Sequence, residues 1–230
     1  MTGSELAETE DKRLKLNYPL VETKLHWSIV SIFKILFKGI MRLKISGLEN
    51  LPENGPLILA GNHVTNLDVF PLQIAMPRPI FFMGKAELFK NPLIHAIFRN
   101  LGAFPVYRGE RDAWAIMHSK RILEAGQVLG LFPEGTRSRG RGLKVAKTGA
   151  ARLSIELNCP IIPVGIIGSH TFFAQFPRRN EVQINIGEQI MPERNELAIA
   201  LTDRLMYKLA MLLPVELRGV YSENPGIYDS

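Results

Sequence analysis

Residues 57–70 read LILAGNHVTNLDVF: a short apolar run that suits a buried strand, a polar turn, and the first residues of a helix. In open α/β sheets ligands collect at the carboxyl ends of strands, and His63 lies just past one. The stretch therefore indicates a fold class and, within it, an address for a catalytic base.

Working outward, apolar runs separated by Pro and Gly recur. Strands are expected at Leu57–Ala60, Ile80–Met83, Ala103–Val106, Val128–Phe132, Ile161–Ile167 and Val182–Ile186, the last alternating with period two. Helices are expected from near Asn66, from Asp112 to Ala125 with Gly126 as a stop, and over Lys144–Leu157. Leu197, Leu201, Leu205 and Leu209 give one face to a last helix before Pro214. Strands interleaved with helices specify an α/β fold, here a mixed, largely parallel sheet flanked by helices. A chain of 230 residues can bury one such core and carry an appendage. Residues 1–44 are expected to be that appendage, a tail and a membrane-binding helix, and residues 45–230 the catalytic domain, folded from Ile45 to Pro214.

The expected helix, Leu25–Leu43, reads LHWSIVSIFKILFKGIMRL. At helical spacing Lys34, Lys38 and Arg42 share a stripe, with Ile29, Phe33, Leu36, Phe37 and Ile40 opposite. Spanning a bilayer would place Lys34 and Lys38 near its centre at about 2.5–3.5 kcal/mol each, roughly cancelling the gain from the apolar residues. Lying in the interface keeps Trp27, Phe33 and Phe37 in the acyl boundary and brings Lys34, Lys38 and Arg42 to anionic headgroups. The expected location is the cytoplasmic face of a membrane, peripheral or monotopic. The first twenty residues, with Glu5, Glu8, Glu10 and Asp11, lack the basic-then-apolar order of a secretory signal.

A composition 46% hydrophobic and 22% charged excludes a disordered chain, and a net charge of +6 points to an anionic partner. Nucleic acid is disfavoured, because the cations divide between the N-terminal helix and the loop at 137–141 and no nucleic-acid motif is present. The single cysteine, Cys159, excludes an internal disulfide and a Cys-rich metal site.

His63 and Asp68 are five residues apart, about 140° out of phase on a continuous helix. They meet only if residues 64–67 turn, and Thr65 or Asn66 as an N-cap would provide that turn. The carboxylate would then fix the imidazole tautomer. The spacing alone equally fits a buried His bonded to backbone, with Asp68 completing a helix cap. A second strand runs into FPEGTRS (Phe132–Ser138), whose backbone N–H groups, Thr136 and Arg137 are available to an anion. Alone, this segment also reads as a solvated turn with Glu134 paired to Arg137. GAFPVYRG (Gly102–Gly109) brings Arg108 to the same sheet edge, a second forked donor for one phosphate. CPIIPVGIIGS (Cys159–Ser169) reads mainly as a core strand.

In this order the blocks NHVTNLD (Asn62–Asp68), GAFPVYRG, FPEGTRS and IIPVGI (Ile161–Ile166), with KAEL at Lys85–Leu88, resemble the glycerolipid acyltransferase superfamily, specifically the 1-acylglycerol-3-phosphate acyltransferases. The resemblance implies transfer of a fatty acyl group from acyl-CoA or acyl carrier protein to a lipid acceptor, without metal or cofactor and without a covalent acyl-enzyme. It implies His63 as the base, Asp68 as its orienting partner, and Arg108, Glu134, Gly135 and Arg137 on the glycerol-phosphate end. Lys85 is a candidate for the oxyanion or the phosphate, or a partner for Glu87. Lys147 reads as a solvated helix face. Acylation of glycerol 3-phosphate or another lyso-lipid, and a non-catalytic membrane scaffold, are the competing expectations. No oligomeric state follows from the sequence.

Overall fold

The computed structural model describes residue 13 and residues 16–107, 109, 112–171 and 179–223, with only the backbone of Lys38. Among the described residues seven strands form one sheet: β1 (Met41–Ser46), β2 (Leu57–Gly61), β3 (Ile80–Lys85), β4 (Ala103–Val106), β5 (Val128–Leu131), β6 (Ile161–Ile167) and β7 (Asn180–Ile186). Their order is β1-β7-β6-β2-β5-β3-β4, and every neighbouring pair is parallel except β6 with β7. The helices are α1 (Lys24–Ile40), α2 (Val69–Ala75), α3 (Pro92–Asn100), α4 (Ala113–Glu124), α5 (Gly149–Leu157) and α6 (Ala198–Met211). This is the mixed, largely parallel sheet that the pattern of runs specifies.

Both faces of the central strands are buried, which is why those strands read as unbroken apolar runs. Ile58, Phe81, Leu129 and Ile161 point to the layer that holds α4, α5 and α6. Leu57, Leu59, Ile80, Phe82 and Ile162 point to the other, beneath α1 and α2. With β2 and β5 side by side, their carboxyl ends bring two distant loops together.

Four elements differ from the sequence-based expectation. The N-terminal helix stops at Ile40, and Met41–Ser46 pairs in parallel with β7, Arg42 opposite Glu181. Ladder hydrogen bonds and the burial of Met41 outweigh continuation of the helix, so Arg42 lies on a sheet strand and the boundary set at residue 44 falls inside β1. Helix α3 has no counterpart in the expected elements, although Asn91 accepts from the N–H groups of Leu93 and Ile94 and Pro92 follows as the first helical residue. Helix α5 begins at Gly149, not Lys144, because the N–H groups of Lys144 and Lys147 go to Glu134 and the Pro133 carbonyl. The fold also continues past Pro214: Leu143 exchanges backbone hydrogen bonds with Leu217 and Val220, and Tyr221 is buried.

Helix α1 packs on the domain through one stripe. Its Thr23 cap accepts from the His26 N–H, His26 meets Phe81 edge-on, Val30 is buried, and Phe33 and Phe37 pack on Phe70 of α2. Phe33 and Phe37 therefore face inward, where the sequence reading placed them toward lipid. Leu25, Trp27, Ile32, Ile35 and Leu36 are the exposed apolar side chains. No helix among the described residues is long and apolar enough to cross a membrane.

Besides His63, two imidazoles are buried among the described residues, His26 on α1 and His118, which stacks on Trp114 at 4.9 Å. Burial lowers each from 6.5 to about 4. The unfolded chain takes up these protons first, so stability present at neutral pH is lost as pH falls from about 6.5 toward about 4. Urea midpoints across that interval should decline, and His118→Phe should lessen the decline. An identical pH profile in wild type and His118→Phe would contradict this account.

Candidate functional site

The site is built where β2 ends. Asn62 leaves the strand with its side chain paired like a strand residue, Nδ2 donating to the Ile166 carbonyl at 2.9 Å and Oδ1 accepting from the Ile166 N–H at 2.6 Å. That clamp on β6 fixes the direction in which the chain leaves the sheet.

Residues 63–68 then turn as the His–Asp contact requires. Thr65 Oγ1 accepts from the Leu67 N–H, and α2 starts only at Val69. Asp68 is fully buried at the centre. Its Oδ2 accepts from the N–H groups of Val64 at 2.7 Å and Thr65 at 2.9 Å and faces His63 Nδ1 at 2.8 Å. Its Oδ1 accepts from Thr65 Oγ1 at 3.2 Å and Ser169 Oγ at 2.5 Å. An oxygen already accepting from two amides is placed to accept again, so Nδ1 carries the proton and donates. Nε2 is left as the basic nitrogen. Phe132 stacks on the imidazole at 4.1 Å and restrains its plane.

The loop after β5 closes against this turn. Ser138 N–H donates to the His63 carbonyl at 2.7 Å, and Glu134 Oε1 accepts from the His63 N–H at 3.0 Å. Oε2 accepts from the Lys144 N–H at 3.1 Å. Burial pushes the Glu134 carboxyl up, against these two N–H groups that pull it down. Each oxygen accepts from a backbone N–H, so Glu134 braces two loops, and it does not pair with Arg137.

The other expected residues are placed as follows. Gly135 has φ +65, and Lys147 lies over the position a Cβ would take, with its Cε 3.1 Å away. Lys147 thus belongs to the extended segment before α5 and covers the turn; it is not on a helix face. Thr136 and Arg137 are exposed on that loop, and among the described residues the Arg137 guanidinium has no partner, while its carbonyl accepts from Lys144 Nζ at 2.9 Å. Lys85, at the end of β3, is 3.1 Å from Glu87 and lines the same cavity as His63. Arg108 and the Lys38 side chain lie outside the described residues.

Beside His63 is a cavity of about 270 Å³, walled by apolar side chains that include Val30, Phe33, Phe70, Phe82, Phe98 and Phe132. It lies between α1, α2, β3 and α3, and it suits an apolar ligand with one polar end at His63. Cys159 is buried elsewhere, in the core under α5, and burial pushes its thiol up to about 11. It is inert as a nucleophile at neutral pH.

Ser169, Asn62 and Phe132 had no role in the sequence reading. Asn62 adjoins His63 and Phe132 opens the FPEGTRS block, so for these two a place in a motif was a usable signal. Ser169 is 101 residues from Asp68, and only the fold joins them.

The family model described as Acyltransferase matches residues 42–167. A Borreliella burgdorferi protein named 1-acyl-sn-glycerol-3-phosphate acyltransferase is 27% identical over 135 residues, 58% of this chain and 54% of that one. A Bacillus subtilis protein of the same name is 28% identical over 178 residues, 74% of this chain and 87% of that one. The chain thus spans about half the length of one of these relatives and most of the other. The crystal structure of the 1-acyl-sn-glycerophosphate (LPA) acyltransferase, PlsC, from Thermotoga maritima superposes with a TM-score of 0.66 at 21% identity, covering 81% of this chain and 79% of that one; at that identity it supports the fold.

The bonding pattern ranks three substitutions by stability. Asp68→Ala removes a buried charged acceptor and should cost about 3–5 kcal/mol. Asn62→Ala strands the Ile166 amide and should cost about 1–3 kcal/mol, whereas Ser169→Ala, which leaves the other donors to Asp68 in place, should cost about 1 kcal/mol. Urea unfolding checks the order; Ser169→Ala equal to or worse than Asp68→Ala would refute it.

Proposed function

From the premise that this chain belongs to the acyltransferase family, we propose that it moves a fatty acyl group from acyl-CoA or acyl carrier protein to the sn-2 hydroxyl of 1-acylglycerol 3-phosphate, giving phosphatidate. The observation that carries this reading is the His63–Asp68 pair, held at 2.8 Å with the imidazole on the wall of an apolar cavity. The names of the relatives support the choice of acceptor.

In the proposed reaction His63 Nε2 takes the proton of the acceptor hydroxyl as its oxygen attacks the thioester carbonyl carbon. The tetrahedral oxyanion collapses, the carbon–sulfur bond breaks, and the proton on Nε2 passes to the leaving thiolate. Asp68 keeps the lone pair on Nε2 beforehand and stabilises the imidazolium during transfer, so it acts as a positioning residue. The cavity accommodates the acyl chain. Arg137, with Thr136 and the backbone N–H groups of these two residues, supplies donors for the acceptor phosphate, and Lys147 and Lys85 add positive charge nearby. Glu134 contributes by keeping this turn against His63.

We further place the enzyme on the cytoplasmic face of a membrane, with α1 lying in the interface. Its contacts would be Leu25, Trp27, Ile32, Ile35 and Leu36, the apolar residues it leaves exposed.

The test is a radiolabelled acyl-transfer assay on the purified full chain, with lysophosphatidate and glycerol 3-phosphate compared as acceptors and both donors supplied. Phosphatidate from lysophosphatidate is expected. His63→Ala should fold and lose at least about 10²-fold in turnover. Arg137→Lys should lower kcat/KM for the acceptor more than for the donor, since an ammonium cannot reproduce the guanidinium fork. Near-normal turnover in His63→Ala would remove the base from the scheme, and preference for glycerol 3-phosphate would reassign the acceptor.

A further inference from the structure

Helix α3 and the 3-10 turn before it (Ala86–Phe89) hold an apolar surface that the scheme above does not use. None of the residues of α3 is buried. Leu93 is 70% exposed, Ile94 41% and Ile97 40%, and Leu88 on the turn is 47% exposed. Leu93 and Ile97, four apart, share one helical face with Ile94 at its edge. The inner side is fixed by His95, whose Nε2 is 2.9 Å from Tyr18 Oη, and by Phe98, edge-on to Phe89 at 5.7 Å. The helix is therefore seated with its aliphatic face outward and cannot roll to hide it without breaking those contacts.

Two features identify what covers this face. The first is its position on the cavity that ends at His63. Leu88 and Phe98 line that cavity from the α3 side, and Val30 and Phe33 line it from α1. The two elements are walls of one space, and each presents exposed aliphatic side chains outward. The second is charge. From Leu88 to Tyr107 the sequence has no acidic residue and carries Lys90 and Arg99; α1 (Lys24–Ile40) again has none, with Lys24, Lys34 and Lys38. Glu87, next to Leu88, is held by Lys85 at 3.1 Å. Aliphatic side chains on two helices whose own charges are all cationic match an anionic lipid surface.

We infer that the outward face of Leu88, Leu93, Ile94 and Ile97 is a second membrane-contacting surface, which seats on anionic lipid together with α1 so that the cavity between them opens directly to the bilayer. This rests on the membrane-surface reading of α1 and adds the route: lipid reaches His63 between α1 and α3 without crossing water.

The experiment uses the full chain and mixed phosphatidylcholine–phosphatidylglycerol vesicles. Because the sole native cysteine is buried, Leu93→Cys takes an environment-sensitive dye at one place. Its emission should shift to the blue on these vesicles and much less on phosphatidylcholine alone. The combined variant Leu93→Gln, Ile94→Gln, Ile97→Gln should partition onto vesicles at least about tenfold more weakly, as loss of three apolar contacts requires, with an unchanged unfolding midpoint and unchanged turnover on a dispersed short-chain acceptor. An unshifted dye overturns the proposal, as does undiminished partitioning of the triple variant. Sedimentation showing that the triple change breaks a dimer, with vesicle binding intact, assigns the face to a second copy and also overturns it. Should the wild type transfer no acyl group yet lose vesicle binding on the triple change, the catalytic reading falls and the surface stands. If the triple variant does not fold, the dye on Leu93→Cys decides.

Discussion

A carboxylate removed from water needs donors to replace its hydration, and at Asp68 that need organises the chain around it. Val64 and Thr65 give it backbone N–H groups, Thr65 and Ser169 give hydroxyls, and His63 gives Nδ1. To supply them, residues 63–68 must fold into a turn and α2 must wait until Val69. The imidazole is one of these donors, so its orientation follows from the same electrostatic demand that shapes the loop. An imidazole held in this way is positioned before any ligand arrives, which the proposed role of general base requires.

The sheet makes the rest of the site possible. Parallel pairing of β2 with β5 puts the ends of both strands on one edge, so that the loop after Leu131 meets the turn after Gly61. Glu134 then ties His63 to Lys144, and Ser138 closes on the His63 carbonyl. Gly135 can take its left-handed φ under Lys147 because it has no Cβ. The antiparallel step from β6 to β7 follows the Ile166 clamp and leads to the outer strand β1, which carries α1 back over α2 as one wall of the cavity. The His63–Asp68 pair, the loop around Gly135 and the apolar cavity beside them are thus consequences of one strand order.

Much of this was legible in the residues. Buried parallel strands announce themselves as apolar runs, and the six that were expected appear within a few residues of their expected limits. His63 beside Asp68 required only that Thr65 turn the chain, which it does through its hydroxyl. What was hidden depended on distant partners. Met41–Leu43 reads as the tail of an amphipathic helix until β7 offers the strand Met41–Ser46 a ladder. Helix α1 has apolar residues on more than one face, so periodicity marked it as amphipathic without saying which stripe the domain would take; Phe70 takes Phe33 and Phe37. The loop alone suggested that Glu134 pairs with Arg137, and the resemblance put it on the glycerol-phosphate end; its two backbone donors are visible only in three dimensions. Helix α3, by contrast, carried a readable signal in Asn91–Pro92.

The account turns on which nitrogen of His63 holds the proton. Nitrogen-15 NMR of histidine-labelled protein, with the His63 resonances assigned by their absence from His63→Ala, reads the tautomer directly at a pH where the ring is neutral. If Asp68 acts as described, Nδ1 is protonated and Nε2 carries the lone pair. A ring found with its proton on Nε2 would leave His63 without a base directed at the cavity and would contradict the mechanism at its centre.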